Sequence, residues 1–340
     1  MVSGSACQFR TGTSENTLGL CAHITAQGER EFVFEPPSKC GKIPPMNSSD
    51  DLPKLNMAER PSPEQIAREI ERDQRTARRA REVELEQSLA GFRVGSVKAL
   101  NTVPLTRGIE DQVIYAPPSR LAGMLRNDEL DAALVSIVEP LLNDQYDILD
   151  GIGVAALGDV KSVLLAHREP LEQIRIVHCD PASMTSVLLL KVLFAERGLK
   201  PEFRKLEDYD FASAPDNLLL IGDAALDFLF APHDHHVTDL AGAWYEMTRL
   251  PFVFAAWAIR RGKDTTILRR HLVEAKSFGL DTLDQIIRER RDYTLDFRKD
   301  YFGWHLHYHV GADEKRGIAR FIELLRKHGF GPVYEPRFVV

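Results

Sequence analysis

Two segments of this sequence gather uncharged hydrogen-bond donors where a β-rich run gives way to a helical one. The first is Val97-Lys98-Ala99-Leu100-Asn101-Thr102-Val103-Pro104-Leu105, with Asn101 and Thr102 between a strand end and a Pro-initiated turn. The second is Asp180-Pro181-Ala182-Ser183-Met184-Thr185-Ser186-Val187, which sets three hydroxyls at the start of a helix. The first turn of a helix has backbone N–H groups without intrahelical partners, and its dipole favours negative charge. Asn, Ser and Thr at such a place can cradle a carboxylate without a formal cation. The same residue types are ordinary helix caps, and type and spacing alone leave both readings open. Ser136 closes an apolar run at 131–135, and Ser162 interrupts another at 160–166. A lone strand serine either bonds nearby backbone or faces a ligand. Gly222 and Asp223 follow the run 217–221. Asp223 is placed either to line a cleft or to cap the next helix.

These donors converge only if the fold brings strand ends together. From residue 92, strands expected at 93–97, 131–135, 160–166, 175–178, 217–221 and 252–259 alternate with helices such as 119–128 and 185–197. Residues 264–340 read as mostly helical. This alternation predicts an α/β architecture with parallel sheets. In such sheets ligands sit at strand carboxyl ends, beside helix N-termini. Residues 1–91 read as an extension. Its first 60 residues are rich in Gly, Ser, Pro and Thr without periodicity, so poor order is expected. A charged helix follows at about 62–89, opened by Ser62-Pro63-Glu64-Gln65. Its apolar stripe is thin (Ile66, Ile70, Ala77, Ala80, Val83), as in a solvated surface helix or one that binds a partner.

A chain of 340 residues supports one or two domains with a sizeable core. The net charge of −7 gives no electrostatic footprint for nucleic acid, although local donors can still attract a small anion. Cys7, Cys21, Cys40 and Cys179 form no CxxC pair, so neither a zinc site nor a disulfide framework is expected. No apolar run is long enough to span a bilayer, so no membrane insertion is expected. The N-terminus shows no signal-peptide core, which favours a cytoplasmic location. His305-Leu306-His307-Tyr308-His309 would place three imidazoles on one face of a strand, a geometry zinc could use. A second cluster is His233-Asp234-His235-His236. The reading preferred for both is a solvated edge and a polar loop, with no metal.

Taken together, the segments resemble the chorismate dehydratases that open the futalosine route to menaquinone. The carriers are Arg93-Val94-Gly95, Leu100-Asn101-Thr102-Val103-Pro104-Leu105, Glu129-Leu130-Asp131-Ala132-Ala133-Leu134-Val135-Ser136 and Lys161-Ser162-Val163. They continue with Ser183-Met184-Thr185-Ser186-Val187, Leu219-Leu220-Ile221-Gly222-Asp223-Ala224-Ala225-Leu226, Asp239-Leu240-Ala241-Gly242-Ala243-Trp244 and Leu250-Pro251-Phe252-Val253-Phe254-Ala255-Ala256-Trp257. Each is weak alone; their order and spacing from 93 to about 325 are specific, and residues 1–91 lie outside the match.

The resemblance implies a two-lobed fold like that of type II periplasmic solute-binding proteins, with a ligand cleft between the lobes. Lobe 1 would comprise 92–172 and 249–340, and lobe 2 would comprise 173–248. The chain would cross near 166–175 and return near 248–253, with the last helices on lobe 1. It also implies elimination of water from chorismate to give 3-[(1-carboxyvinyl)oxy]benzoate, with the substrate's own side-chain carboxylate as base and no cofactor. Asn101 and Ser162 would then be catalytic. Thr102, Ser136, Ser183, Thr185 and Ser186 would clamp the carboxylates, with Gly222 and Asp223 at the substrate-binding edge. Many relatives carry Asp-Gly-Pro where this chain has Leu157-Gly158-Asp159. The rival readings are a solute-binding or sensory protein of the same fold, the naphthoate-forming enzyme of the same pathway, and a relative acting on another dicarboxylate. A homodimer is left open.

Overall fold

The computed structural model describes residues 21–24, 30–33, 62–85, 88–180 and 183–340. The chain divides into two compact units, 1–62 and 63–340. In the first, strands β1 (Cys21–Ile24) and β2 (Arg30–Val33) pair antiparallel, Cys21 opposite Val33. The poor order expected over 1–60 otherwise lies outside the described residues.

The second unit begins with α1 (Pro63–Leu85), which is exposed along most of its length. The expected helix at 62–89 is thus shorter. It belongs to the second unit, so the division falls after Ser62 and not near residue 91. The reason is its C-terminal end: Leu85 and nearby Leu89 are buried in the main core, and Gln112 Nε2 donates to Leu85 O at 2.6 Å. Arg81 adds a 2.6 Å ion pair to Asp281.

Six strands form the first sheet: β3 (Val94–Ser96), β4 (Val113–Tyr115), β5 (Ala132–Ser136), β6 (Tyr146–Ala156), β12 (Phe252–Arg260) and β13 (Phe338–Val339). Their order is β13-β6-β12-β5-β3-β4. Five strands form the second: β7 (Val163–His167), β8 (Ile176–Cys179), β9 (Glu202–Lys205), β10 (Asn217–Ile221) and β11 (His236–Asp239), in the order β11-β7-β10-β8-β9. The helices between them are α2 (Val103–Thr106), α3 (Pro118–Arg126), α4 (Val138–Leu142), α5 (Met184–Glu196), α6 (Gly222–Phe230) and α7 (Leu240–Thr248). Four more close the chain: α8 (Thr266–Asp281), α9 (Leu283–Glu289), α10 (Leu295–Asp300) and α11 (Ala312–Lys327).

The sheets are mixed, where the alternating pattern predicted parallel ones. In each sheet, the strand arriving from the other lobe runs antiparallel to both neighbours: β7 against β10 and β11, and β12 against β5 and β6. The remaining pairs are parallel. Because β7 belongs to the second sheet, the chain crosses within residues 157–162, earlier than the 166–175 expected. Both β6 and β7 are apolar and largely buried, so their residues carry no mark of which sheet they join. The return occupies 249–251. β12, apolar until Arg260 and buried over most of its length, is the middle of the first sheet, as near-continuous apolar strands covered on both faces tend to be. Its Trp257 is fully buried, as is Trp244 of α7, whose Nε1 donates to Pro251 O at 3.2 Å.

Candidate active site

The cleft between the two sheets holds about 730 Å³ of space not filled by atoms, the solvent at its mouth included. The first lobe contributes Asn101, Thr102, Ser136 and the apolar Val154, Phe254 and Ala255 to its wall. From the second lobe and the crossing come Ser162, Ser183, Thr185, Ser186 and Gly222. Among the described residues no ionisable side chain lines it. Eight of the nine residues singled out in the sequence therefore converge there, and Asp223 does not.

Local geometry separates donors spent on the protein from donors left for a ligand. Thr102 donates to Val97 O at 2.7 Å and to Ala99 O at 2.9 Å, so its hydroxyl closes the turn that carries Asn101. Thr185 Oγ1 accepts a long 3.5 Å bond from Val138 N of the opposite lobe. Asn101, Ser136, Ser183 and Ser186 are different: among the described residues their side chains have no hydrogen-bond partner, and the Ser183 oxygen is fully buried. Ser183 occupies the N-cap of α5, yet its side chain caps nothing. A buried hydroxyl without a partner is costly unless a ligand or water completes it. Below it lies the first turn of α5, an apolar helix whose interior anchors that end against the sheet. Backbone N–H groups and hydroxyls thus face one space.

Ser162 stands where the crossing enters β7. Its carbonyl accepts from Gly222 N at 2.7 Å, and its Oγ lies 2.8 Å from the hydroxyl of buried Tyr301. The preceding Lys161 has φ +64°, a conformation that strains a residue with a Cβ. Asp239 holds it there. One of its carboxylate oxygens accepts from Val160 N at 3.0 Å and Lys161 N at 2.7 Å; the other caps α7 through Ala241 N and Gly242 N. Burial pushes the Asp239 carboxyl upward, against the pull of these N–H donors. Gly222, φ +58°, turns the chain from β10 into α6 at the cavity wall, a conformation glycine adopts freely.

Asp223 does something the sequence reading did not offer. Its side chain neither lines the cavity nor caps α6; it reaches across the cleft and accepts from Leu100 N at 3.2 Å, steadying the turn that presents Asn101. Burial raises its carboxyl above the ordinary range, and the Leu100 N–H opposes that. The same turn is pressed from behind: Gly279 of α8 sits so close to the Pro104 carbonyl that any side chain would collide with it. Asp239, Gly279 and Tyr301 are the contributors that residue type and spacing did not reveal. Asp239 lies in a segment marked by resemblance, but the other two carry no local signal.

The histidine run does not assemble a metal site. Residues 301–305 form a π-turn and not a strand; His305 Nδ1 lies 2.8 Å from Asp159 O, and His307 Nε2 lies 3.0 Å from Glu314 Oε1. Among the described residues no three His, Cys, Asp or Glu side chains group as ligands. No helix there is long and apolar enough to cross a membrane. Leu157-Gly158-Asp159 lies in the crossing, outside the cavity wall, where Asp159 pairs with Lys161 at 2.8 Å.

Comparison with known proteins agrees with this architecture. Residues 92–327 match the family model described as menaquinone biosynthesis. A chorismate dehydratase of Thermus thermophilus is 33% identical over 245 residues, spanning 66% of this chain and 90% of the relative. One from Campylobacter jejuni is 26% identical over 229 residues, spanning 66% and 89%. Among solved structures, a protein from Archaeoglobus fulgidus superposes with a TM-score of 0.57 at 17% identity, over 70% of this chain and 98% of that one. An ABC transporter protein from Parabacteroides distasonis gives 0.52 at 13% identity, over 70% and 92%. These structural likenesses concern the fold alone, a two-lobed α/β fold. The match over 92–327 and the Thermus relative together settle kinship: the chain belongs to the menaquinone-biosynthesis family of which the chorismate dehydratases are members.

Proposed function

We propose that this protein is a chorismate dehydratase, a hydro-lyase that converts chorismate to 3-[(1-carboxyvinyl)oxy]benzoate and water. The observation that carries this reading is the cleft wall: hydroxyl, amide and backbone donors from both lobes, with no ionisable side chain among the described residues that line it. Chorismate brings two carboxylates, and it also brings its own base. In the elimination, the C–H bond at the ether-bearing ring carbon breaks, the neighbouring ring C–O bond breaks with its electron pair going to oxygen, and the ring becomes aromatic; the proton taken by the side-chain carboxylate passes on to the departing hydroxyl, which leaves as water. The departing proton is vinylogous to the ring carboxylate, so charge spreads into that group as the proton moves to the side-chain carboxylate. Aromatisation supplies the driving force. What is asked of the protein is a held conformation and donors aimed at developing charge.

In this reading Asn101 holds the ring carboxylate or the departing hydroxyl, and Ser162 donates into the reacting region. Ser183, Ser186 and the first turn of α5 take one carboxylate; Ser136, with Thr185 beside it, faces the other. Thr102, Gly222 and Asp223 shape the site without contacting the reacting atoms. The test is direct. Purified protein incubated with chorismate should yield the aromatic enol ether, seen by absorbance and identified by mass spectrometry, and Asn101→Ala should abolish most of that turnover. Tight binding of chorismate without turnover would instead make the chain a solute-binding protein. Undiminished turnover in Asn101→Ala would reject the role given to that residue.

A further inference from the structure

Tyr301 opens the π-turn that follows α10 and is fully buried. Its ring is stacked on Phe297, centroids 5.4 Å apart and planes 16° from parallel, with Phe302 edge-on at 5.7 Å. Such a bulge in a helix is a common way to aim one side chain off the helical register. Among the described residues its hydroxyl has one hydrogen-bond partner, Ser162 Oγ at 2.8 Å. Nearby Tyr308 has a buried hydroxyl with no partner of its own, so it gives Tyr301 no alternative.

This arrangement fixes the direction of the bond. A phenol has one proton, and leaving it without an acceptor in a dry core is costly. Were Ser162 the donor, the Tyr301 proton would have no acceptor among the described residues. With Tyr301 as donor, every proton can be placed, and the Ser162 proton must look elsewhere. The alternative acceptor on the protein is Val160 O at a long 3.5 Å; Ser162 itself is fully buried, and it stands in the wall of the cavity where a ligand would lie against it. Burial also favours the neutral phenol, which keeps it a donor.

We infer that Tyr301 is a positioning residue that donates to Ser162 Oγ and thereby commits the Ser162 hydroxyl to act as a hydrogen-bond donor toward a ligand in the cleft, not as a base. This rests on the dehydratase reading for its kinetic consequence, but the polarity of the bond is independent of it. A serine so held stabilises negative charge that grows on the departing oxygen or in the ring, and leaves proton removal to the substrate's carboxylate.

The test is a double-mutant cycle on the full chain. Tyr301→Phe keeps the ring packing and should lower kcat about tenfold with KM within about twofold. Ser162→Ala should lose at least as much, and Ser162→Ala/Tyr301→Phe should be no slower than Ser162→Ala. A tyrosine that served packing alone would add its loss to that of Ser162→Ala, and that outcome, or unchanged kcat in Tyr301→Phe, would overturn the inference. Should Tyr301→Phe fail to fold, the wild-type protein still decides. The Tyr301 hydroxyl proton, shielded from exchange, should be visible by NMR, show a cross-peak to the Ser162 β-protons, and shift in Ser162→Ala; a resonance indifferent to Ser162 would sink the idea. Absence of chorismate turnover in the wild type would remove the dehydratase reading while leaving the NMR result to judge the bond.

Discussion

Strand β5 carries opposite chemistry at its two ends. Just before it, Asp131 accepts from Arg93 N at 2.8 Å, from the Arg93 guanidinium at 3.1 Å and from Lys263 Nζ at 2.6 Å, its own side chain 4% exposed. At its other end Ser136 faces a cavity that, among the described residues, no ionisable side chain lines. Charge is used where it can be paired permanently, at the strand's N-terminal end. It is withheld at the carboxyl end, where the visitor brings its own. A fixed cation in the cleft would hold a dianion tightly before and after reaction alike, whereas neutral donors can follow charge as it moves. A fixed anion there would repel it.

The contrast is broken most severely by placing a charge in the cleft. Ser183→Asp sets a carboxylate against the space meant for another, and kcat/KM for chorismate should fall by roughly 10³-fold or more, since like charges brought together out of water cost several kcal/mol. A loss below tenfold, measured in the same assay, would show that no carboxylate rests on α5. Next in size is Asn101→Ala, expected to lower kcat about 100-fold with little change in melting temperature, as when one preorganised donor is removed. Equal losses of activity and stability would assign Asn101 to the fold.

At the charged end the expected effects are smaller and fall on stability. Burial alone would raise the Asp131 carboxyl, but Arg93 and Lys263 outweigh it and hold it at about 2. The folded value lies below the unfolded one, so this contribution is complete above about pH 5 and fades as the pH falls toward 2. Asp131→Asn should cost about 2 kcal/mol at neutral pH, less than a fully buried pair because Arg93 and Lys263 are half exposed, and it should leave kcat unchanged. Urea titrations at pH 7 and pH 3 check this: the gap between wild type and variant should narrow at the lower pH. The smallest change is Lys161→Gly, which relieves a left-handed residue and should stabilise by about 1 kcal/mol in the same titration. Destabilisation would mean that its pairing with Asp159 outweighs the strain.

How much of this could be read from residues alone follows from what each residue contacts. Asn101, Ser183 and Ser186 were legible because strand, polar turn and helix are adjacent in sequence, and local order carries them to the same end of a sheet. Ser162 was visible as a hydroxyl in an apolar run. Tyr301 was not, because it reaches Ser162 from 139 positions away through a π-turn that periodicity does not encode. Asp223 was noticed but misplaced, since its acceptor role depends on Leu100 approaching from the opposite lobe. The crossing was set too late because β6 and β7 are both buried apolar strands, and only pairing decides which sheet each joins.

The central claim is that the cleft works by holding and polarising, with no protein side chain titrating in the chemical step. The pH dependence of kcat for chorismate, followed from about pH 6 to 9 at saturating substrate, addresses it most directly. A flat profile is predicted, because the substrate's carboxylates are ionised throughout and, among the described residues, the cleft wall carries no ionisable side chain. A sigmoid or bell within that interval, surviving in protein of unchanged stability, would place an acid or base of the protein in the reaction and contradict the account.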